Sequence, residues 1–596
     1  MNTLIKSASR ILILKALILL LFITPLYAQT VKLKIIETTD EHGEVFPYSF
    51  TLKRDQNHSL AQVMTYVKQE RANKDQETIL LSGGDLLQGT PLVYYYNFEK
   101  TNVPHIFAEV MNYMGYDAGA VGNHDIETGH NVYDRFNKEI NFPWLAANAL
   151  NTSSNEPYFK PYAVIERGGI KIAVLGMITP WIPNWLPRNI WSGMEFQDMI
   201  ECARKWVKII NDKEKPDLLI GLFHSGVDFT YGNQTADTYK NENASRLVAE
   251  QVPGFDLIFV GHDHHGWNIT ATSSAGKTVP ILSGINAART AAVADVSLTY
   301  NPSSKLWEKK ITGEIVEIKN YKPDPEFSSK FQYASDEVKK YVDQPLGTFT
   351  VPVSSRESFF GNSSFTDLIQ NIQLELTGAD VSFTAPLSFD IKIDKGVITV
   401  GNMFDLYRYE NLLYTMELSG REIKDYLEYS YSLWFNQMKS ADDHLINFSL
   451  DDKGKVELDP KNGTPLLKGV YYNFDSAAGI KYSVDVSLPP GNRVIISSMS
   501  DGSPFDLNKE YKVAVNSYRG NGGGNLLTRG AHIPKDQLEK RIIASTDKDL
   551  RFYMMRWIQK KSIVTPAAIG NWNIIPSDWW EKGKEKDFDL LFRKDK

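Results

Sequence analysis

Cysteine is all but missing from this chain. Cys202 is the only one in 596 residues, which excludes an intramolecular disulfide. An exported protein of this size without disulfides suits a bacterial periplasm better than an animal extracellular space. Long apolar runs are equally scarce. Past the first 30 residues nothing approaches the roughly 20 apolar residues that a membrane span needs. Basic charge is also short, with 65 Lys and Arg against 72 Asp and Glu, a formal −7. Such a surface argues against holding long nucleic acid, whose binding rests on Lys and Arg neutralising phosphates. Small anions can still bind where metal ions supply the positive charge.

The one sustained apolar run, Ile11 to Ile23, is flanked and interrupted by Lys6, Arg10 and Lys15 and ends in Leu26-Tyr27-Ala28-Gln29. It reads as a secretory signal peptide cut after Ala28, with a retained N-terminal anchor as the rival reading. No cysteine follows the cut, which disfavours a lipoprotein. Cleavage would leave 62 basic and 72 acidic side chains, a formal −10. With that leader removed, the expectation is a secreted, periplasmic protein with no stable membrane span.

The length exceeds what one hydrophobic core usually serves, so at least two domains are expected. From Val31 to about Ile318, short apolar strands alternate with helical stretches such as Leu60 to Asn73 and Asp198 to Asn211, the signature of an α/β layered domain. Lys322-Pro323-Asp324-Pro325 breaks the pattern. Glu326 to Val342 then has helical spacing and ends before Gln344-Pro345. The division predicted is a signal peptide over 1–28, an α/β domain over 29–321, a connecting helix over 322–345 and a second domain over 346–596. Within the last, a helix over Ser364 to Leu376, a strand over Leu412 to Leu418 and a helix over Arg421 to Ser432 are expected.

Histidine is sparse, yet five of the eleven fall in four of five short segments that each follow an apolar, β-rich run. The segments are Thr39-Asp40-Glu41-His42-Gly43, Gly83-Gly84-Asp85, Gly122-Asn123-His124-Asp125, His224-Ser225-Gly226 and Gly261-His262-Asp263-His264. Every candidate ligand thus lies at the carboxyl end of a strand, where ligand sites collect in α/β proteins. Carboxylates plus imidazoles suit Zn, Mn, Fe or Co and not an all-oxygen Ca site. Asp85 has two oxygens and can bridge two ions; Asp40, His42, Asn123, His224, His262 and His264 complete a set of seven side chains. Two divalent ions about 3.5–4 Å apart suit in-line phosphoester hydrolysis. His124, next to Asn123 but not needed as a ligand, is placed to neutralise charge on the leaving oxygen, and Glu127 could orient it.

With these residues, the N-terminal half resembles the calcineurin-like metallophosphoesterases and the full length resembles the secreted 5'-nucleotidase superfamily. The resemblance implies a four-layer α/β/β/α sandwich followed by an α+β nucleotide-binding domain. It implies one metal on Asp40, His42, Asp85 and His264 and a second on Asp85, Asn123, His224 and His262, with His124 as the catalytic imidazole. The usual acidic companion of that histidine is an aspartate or a similar residue, and Glu127 is longer. Asp405-Leu406-Tyr407-Arg408-Tyr409-Glu410-Asn411 and Asn516-Ser517-Tyr518-Arg519-Gly520 look like the base-clamping segments of bacterial 2',3'-cyclic-nucleotide 2'-phosphodiesterase/3'-nucleotidases. Tyr409 and Tyr518 match the two tyrosines that sandwich the base there. Asn411, Gly522 and Gly523 are further substrate-binding candidates. Gly524 stands where 5'-nucleotidases carry an acid that binds the ribose hydroxyls, and Asn473-Phe474-Asp475 and Asn571-Trp572 agree with the cyclic-phosphodiesterase branch.

The expected function is hydrolysis of 2',3'-cyclic nucleotides to 3'-nucleotides and of these to nucleoside and phosphate, on two divalent ions and a small nucleotide substrate. A 5'-nucleotidase or nucleotide-sugar hydrolase on the same scaffold is the alternative. A non-catalytic nucleotide-binding protein is more remote, since such relatives generally lose ligands and all seven are present.

Overall fold

The computed structural model describes residues 29–460 and 463–593. The expected signal peptide over 1–28 lies outside them. No described helix is long and apolar enough to cross a membrane.

Two six-stranded sheets form the heart of the N-terminal half. The first runs in the order Leu306–Glu317, Thr290–Asn301, Thr30–Thr38, Glu77–Ser82, Ala118–Ala120, Trp144–Leu145. The second runs Trp267–Thr272, Thr278–Ser283, Leu257–Val260, Leu218–His224, Ile170–Ile178, Tyr162–Arg167. The last four strands of the first and the middle four of the second are parallel, so their carboxyl ends share one edge.

Successive strand residues point to opposite faces, and this sorts the apolar side chains. Ile35, Ile79 and Leu81 face Ile220 and Leu222 in the core between the sheets. Ile36 and Leu80 face outward into a layer with Leu60, Val63 and Val67 of helix Leu60–Ala72. Across the sandwich, Leu219 and Phe223 meet Cys202, Trp206 and Ile210 of helix Met199–Lys213. The result is the four-layer α/β/β/α arrangement expected. Asp198 starts the last helix by accepting from Ile200 N and Glu201 N at 2.9 and 3.0 Å, an N-cap that satisfies two orphan donors.

The Lys-Pro-Asp-Pro break has a simple local cause. Asp324 caps helix Pro325–Val342, accepting from Phe327 N at 2.8 Å, and Pro325 occupies the first helical position, where no N–H is needed. The helix buries Phe327 and Phe331 against Tyr113 of the N-terminal half, with ring centroids 6.1 and 5.5 Å apart. Its far end packs on helix Val400–Leu406, and Val400 N donates to Gln344 O at 3.0 Å. One continuous apolar core therefore joins both halves along this side.

The C-terminal half is α+β. Its five-stranded sheet has the order Ser476–Ala478, Val381–Thr384, Glu510–Asn516, Leu412–Ser419, Ile542–Asp549. Helices Ser364–Thr377 and Gly420–Trp434 pack on it, each a residue or two from the bounds expected. The connection between helix Val400–Leu406 and strand Leu412–Ser419 carries Tyr409, and the turn after strand Glu510–Asn516 carries Tyr518.

Candidate metal centre and substrate cleft

At three of the five segments the chain leaves the strand through a left-handed backbone. Asp40, His42, Asp85, His262 and His264 have φ of +52, +48, +59, +87 and +60°. Non-glycine residues rarely adopt such values, and strain of this kind gathers at functional sites. The turns let side chains that would alternate on a strand converge. Gly122 is needed for a close approach, since a Cβ there would lie 2.1 Å from Asp85 Oδ1.

Asp40, His42, Asp85 and His264 each bring a ligand atom within 4.8 Å of the others. His42 Nε2 lies 3.0 Å from His264 Nε2, and His264 Nε2 lies 3.4 Å from Asp40 Oδ1. A second group adjoins the first. His224 Nε2 is 3.1 Å from Asn123 Oδ1 and 3.1 Å from Asp85 Oδ2, while His262 Nδ1 is 2.8 Å from Asn123 Oδ1. Asp85 Oδ2 also lies 4.0 Å from His42 Nε2, so this one carboxylate touches both groups.

The donor set fits a divalent cation. Asp40 and Asp85 are 0 and 1% exposed, and among the described residues their ionic partners are histidines, with no Lys or Arg. Buried charge in such a place needs a cation or pays a large desolvation cost. His42 Nδ1 lies 3.0 Å from Gln88 O and His224 Nδ1 2.7 Å from Gly83 O. An Nδ1–H donated to a carbonyl leaves Nε2 free to ligate. Burial and the neighbouring His264 push His42 down to about 3, which keeps it neutral. Chain and fold together define a divalent metal site.

His124 stands beside the ligand groups, its ring 5.4 Å from that of His42. Its backbone N–H donates to Asp85 Oδ1 at 2.8 Å and its Nδ1 lies 2.5 Å from Glu127 Oε2. The longer acid at position 127 does reach the imidazole. Burial would lower His124, but the charges of Asp85 and Glu127 outweigh it and lift the ring to about 10.

Tyr409 and Tyr518 are both half-buried. The glycine run has a packing cause that the sequence did not reveal. A Cβ on Gly523 would lie 2.5 Å from Tyr518 Cε2, and one on Gly524, at φ +71°, would lie 2.3 Å from Arg519 Nη1 and 2.5 Å from Asn473 Oδ1. The glycines admit the Tyr518 ring and the Arg519 guanidinium. Gly522 neighbours Lys535, whose Nζ donates to Asn184 O at 3.2 Å and to Asn521 O. Asn411 is buried in the same segment as Tyr409.

Several residues of this region escaped the sequence reading. Asp125 accepts from Gly122 N, Asp85 N, Leu86 N and Leu87 N at 2.7–3.0 Å and so ties two of the five segments together. Glu242 Oε1 lies 3.3 Å from His262 Nε2, and Asn286 Nδ2 donates to His264 Nδ1 at 3.2 Å. The Trp185 ring lies 5.5 Å from that of His262, and Asn521 Nδ2 donates to Trp185 O at 3.5 Å, so this loop bridges the metal site and the Tyr518 turn. The Asp125 contact had a local signal in Gly-Asn-His-Asp. The others come from distant segments with no motif of their own.

Residues 33–266 match the calcineurin-like phosphoesterase family and residues 345–529 match the 5'-nucleotidase C-terminal domain family. Fold and site thus define a metal-dependent phosphoric ester hydrolase of the calcineurin-like class. The chain carries a calcineurin-like phosphoesterase match followed by a 5'-nucleotidase C-terminal domain match. It is 25% identical to a 2',3'-cyclic-nucleotide 2'-phosphodiesterase/3'-nucleotidase of Haemophilus influenzae, over 92% of this chain and 88% of that one. It is 26% identical to the trifunctional nucleotide phosphoesterase of Bacillus subtilis over 96% of its own length, but spans only 41% of that longer protein. In fold it is similar to a putative 5'-nucleotidase from Staphylococcus aureus, with a TM-score of 0.73 at 20% identity over 91% of this chain and 99% of the other.

Proposed function

We propose that this protein opens 2',3'-cyclic nucleotides to 3'-nucleotides and hydrolyses these to nucleoside and phosphate, using two divalent ions drawn from Zn, Mn, Fe and Co. The observation that carries the two-ion reading is the position of Asp85, whose Oδ2 lies 3.1 Å from His224 Nε2 and 4.0 Å from His42 Nε2. One ion would be held by Asp40, His42, Asp85 and His264, the other by Asp85, Asn123, His224 and His262. The chemistry such ions would supply is charge for the phosphoryl oxygens and a more acidic attacking water.

The chain's own groups do the rest. His124, fixed by Glu127, donates a proton to the leaving ribose oxygen. Tyr409 and Tyr518 hold the base by its faces, worth about 1–3 kcal/mol per stack for any base. Arg519 and Asn473 occupy the space where an acid at position 524 would stand, which supports a ribose presented through its 2' and 3' oxygens. The halves divide at 322–345 on this reading, and export to the periplasm rests on the sequence of residues 1–28. The nucleotide chemistry is also that of the Haemophilus relative named above.

Steady-state kinetics on 2',3'-cyclic AMP, 3'-AMP, 5'-AMP and UDP-glucose, with and without a chelator, test the proposal. Rapid, chelator-sensitive turnover of the first two supports it. Preferential turnover of 5'-AMP or UDP-glucose would replace it with the alternative on the same scaffold.

A further inference from the structure

Glu410 sits between Tyr409 and Asn411, in the connection that presents the first base-clamping tyrosine. Its side chain is only 8% exposed. One oxygen is spoken for, since Arg551 Nη1 donates to Glu410 Oε1 at 2.9 Å. Arg551 is wholly buried and fixes this stretch of chain. Its Nε donates to Tyr407 O at 2.8 Å, its Nη2 donates to Arg408 O, and its guanidinium lies 4.0 Å over the Phe404 ring. Tyr94 of the N-terminal half closes the cluster, donating to Asp549 Oδ2 at 3.0 Å. Glu410 is thus held rigidly at the seam between the halves.

The other oxygen, Oε2, is buried and has no partner. A buried carboxylate oxygen without a donor is costly, and such a group in a native protein calls for an explanation. The groups opposite do not supply the donor. The charge of Glu410 helps to raise His124 and that of Glu127 helps to raise Glu410, but Glu127 is itself a carboxylate, engaged with His124 Nδ1. What lies between Tyr409 and His124, on the function proposed above, is the sugar that joins the stacked base to the reacting phosphate. Its free hydroxyl is a donor of the right kind.

We infer that, once the cyclic ester has been opened, Glu410 Oε2 accepts a hydrogen bond from the ribose hydroxyl of the 3'-nucleotide next to the scissile phosphate, and so selects 3'-ribonucleotides over their deoxy counterparts in that second hydrolysis. In a 3'-nucleotide that donor is the 2'-hydroxyl. The assignment rests on the nucleotidase reading, and it gives the C-terminal half a part in choosing the sugar as well as the base. It also places an acid for the ribose in a chain whose position 524 cannot hold one.

The test compares kcat/KM for 3'-AMP and 2'-deoxy-3'-AMP in the full-length wild type and in Glu410→Gln, which keeps an oxygen for Arg551 and puts an amide N–H₂ where the acceptor was. The wild type should prefer 3'-AMP by about 10- to 100-fold, the range expected when a charged acceptor loses its donor. In Glu410→Gln the preference should fall to within about threefold. Each ratio is taken on one preparation, so partial loss of folded enzyme cancels, and if the variant does not fold the wild-type ratio decides alone. Equal use of both substrates by the wild type, or an unchanged preference in the variant, overturns the assignment while leaving the nucleotidase reading intact. A wild type that cleaves p-nitrophenyl phosphate but neither nucleotide overturns that reading, and this inference with it.

Discussion

His124 Nδ1 lies 2.5 Å from Glu127 Oε2, one turn further along the helix Asn123–Glu127. The contact spans three residues, so it is built by local geometry and does not depend on how the two halves are arranged. It holds the imidazole so that Nε2 is the nitrogen left for a substrate.

If that nitrogen protonates the leaving oxygen, its loss should hurt poor leaving groups most. His124→Ala should lower kcat on 3'-AMP by about 10²–10⁴-fold. With p-nitrophenyl phosphate, whose leaving group needs little help, the loss should be at least tenfold smaller. Parallel kinetics on the two substrates check this, and equal losses on both would remove His124 from that role. Glu127→Gln should show the same pattern at reduced size.

Asp40 and Asp85 are buried beside histidines, with no Lys or Arg among the described residues paired with them. Ion binding should therefore stabilise the fold by mass action. Calorimetry should find that a strong chelator lowers Tm by several degrees and that restoring a divalent ion reverses the change. Asp85→Asn should reduce the bound metal measured by plasma mass spectrometry from two ions to one or none per chain.

The aromatic clamp should act through binding. Tyr409→Ala and Tyr518→Ala should each raise KM for 3'-AMP by about 5- to 100-fold, as expected from losing one base stack, with a much smaller effect on kcat/KM for p-nitrophenyl phosphate. Uniform loss on both substrates would mark the two rings as packing residues.

Asp405 gives a pH dependence away from the metal site. Burial raises its carboxyl to about 7, whereas in the unfolded chain it ionises near 3.9. Between those values the folded state keeps a proton that the unfolded state has lost, so stability falls as pH rises and stays lower above about 7. Asp405→Asn removes this penalty. Its Tm should equal that of the wild type near pH 4 and exceed it near pH 8, by an amount equivalent to at most roughly 4 kcal/mol. A gap that is the same at both pH values would contradict the assignment.

Much of this was legible in the sequence because the site is assembled from short pieces. Each ligand follows a β-rich run directly, so Asp40, Asp85 and His262 could be placed at strand ends from spacing alone. The structure adds the left-handed turns that bring them together. The helix cap at Asp324-Pro325 was equally local. What stayed hidden depends on contacts between distant segments. Glu242 meets His262 across 20 residues, Trp185 meets Asn521 across 336, and Arg551 meets Glu410 across 141. The packing around the glycines at 523 and 524 stayed hidden for the same reason. Their cause is the Tyr518 ring and the Arg519 guanidinium, and a glycine run says only that something comes close, not what.

The central claim is that a two-ion centre and a tyrosine-lined cleft act on the 2' and 3' phosphoesters of nucleotides. The most direct measurement is the kcat/KM of the metal-loaded enzyme for 2',3'-cyclic AMP and 3'-AMP beside that for 5'-AMP. The account predicts that both of the former exceed the latter by at least tenfold and that all activity disappears with chelator. Fast turnover of 5'-AMP with inert 2',3'-cyclic AMP would contradict it.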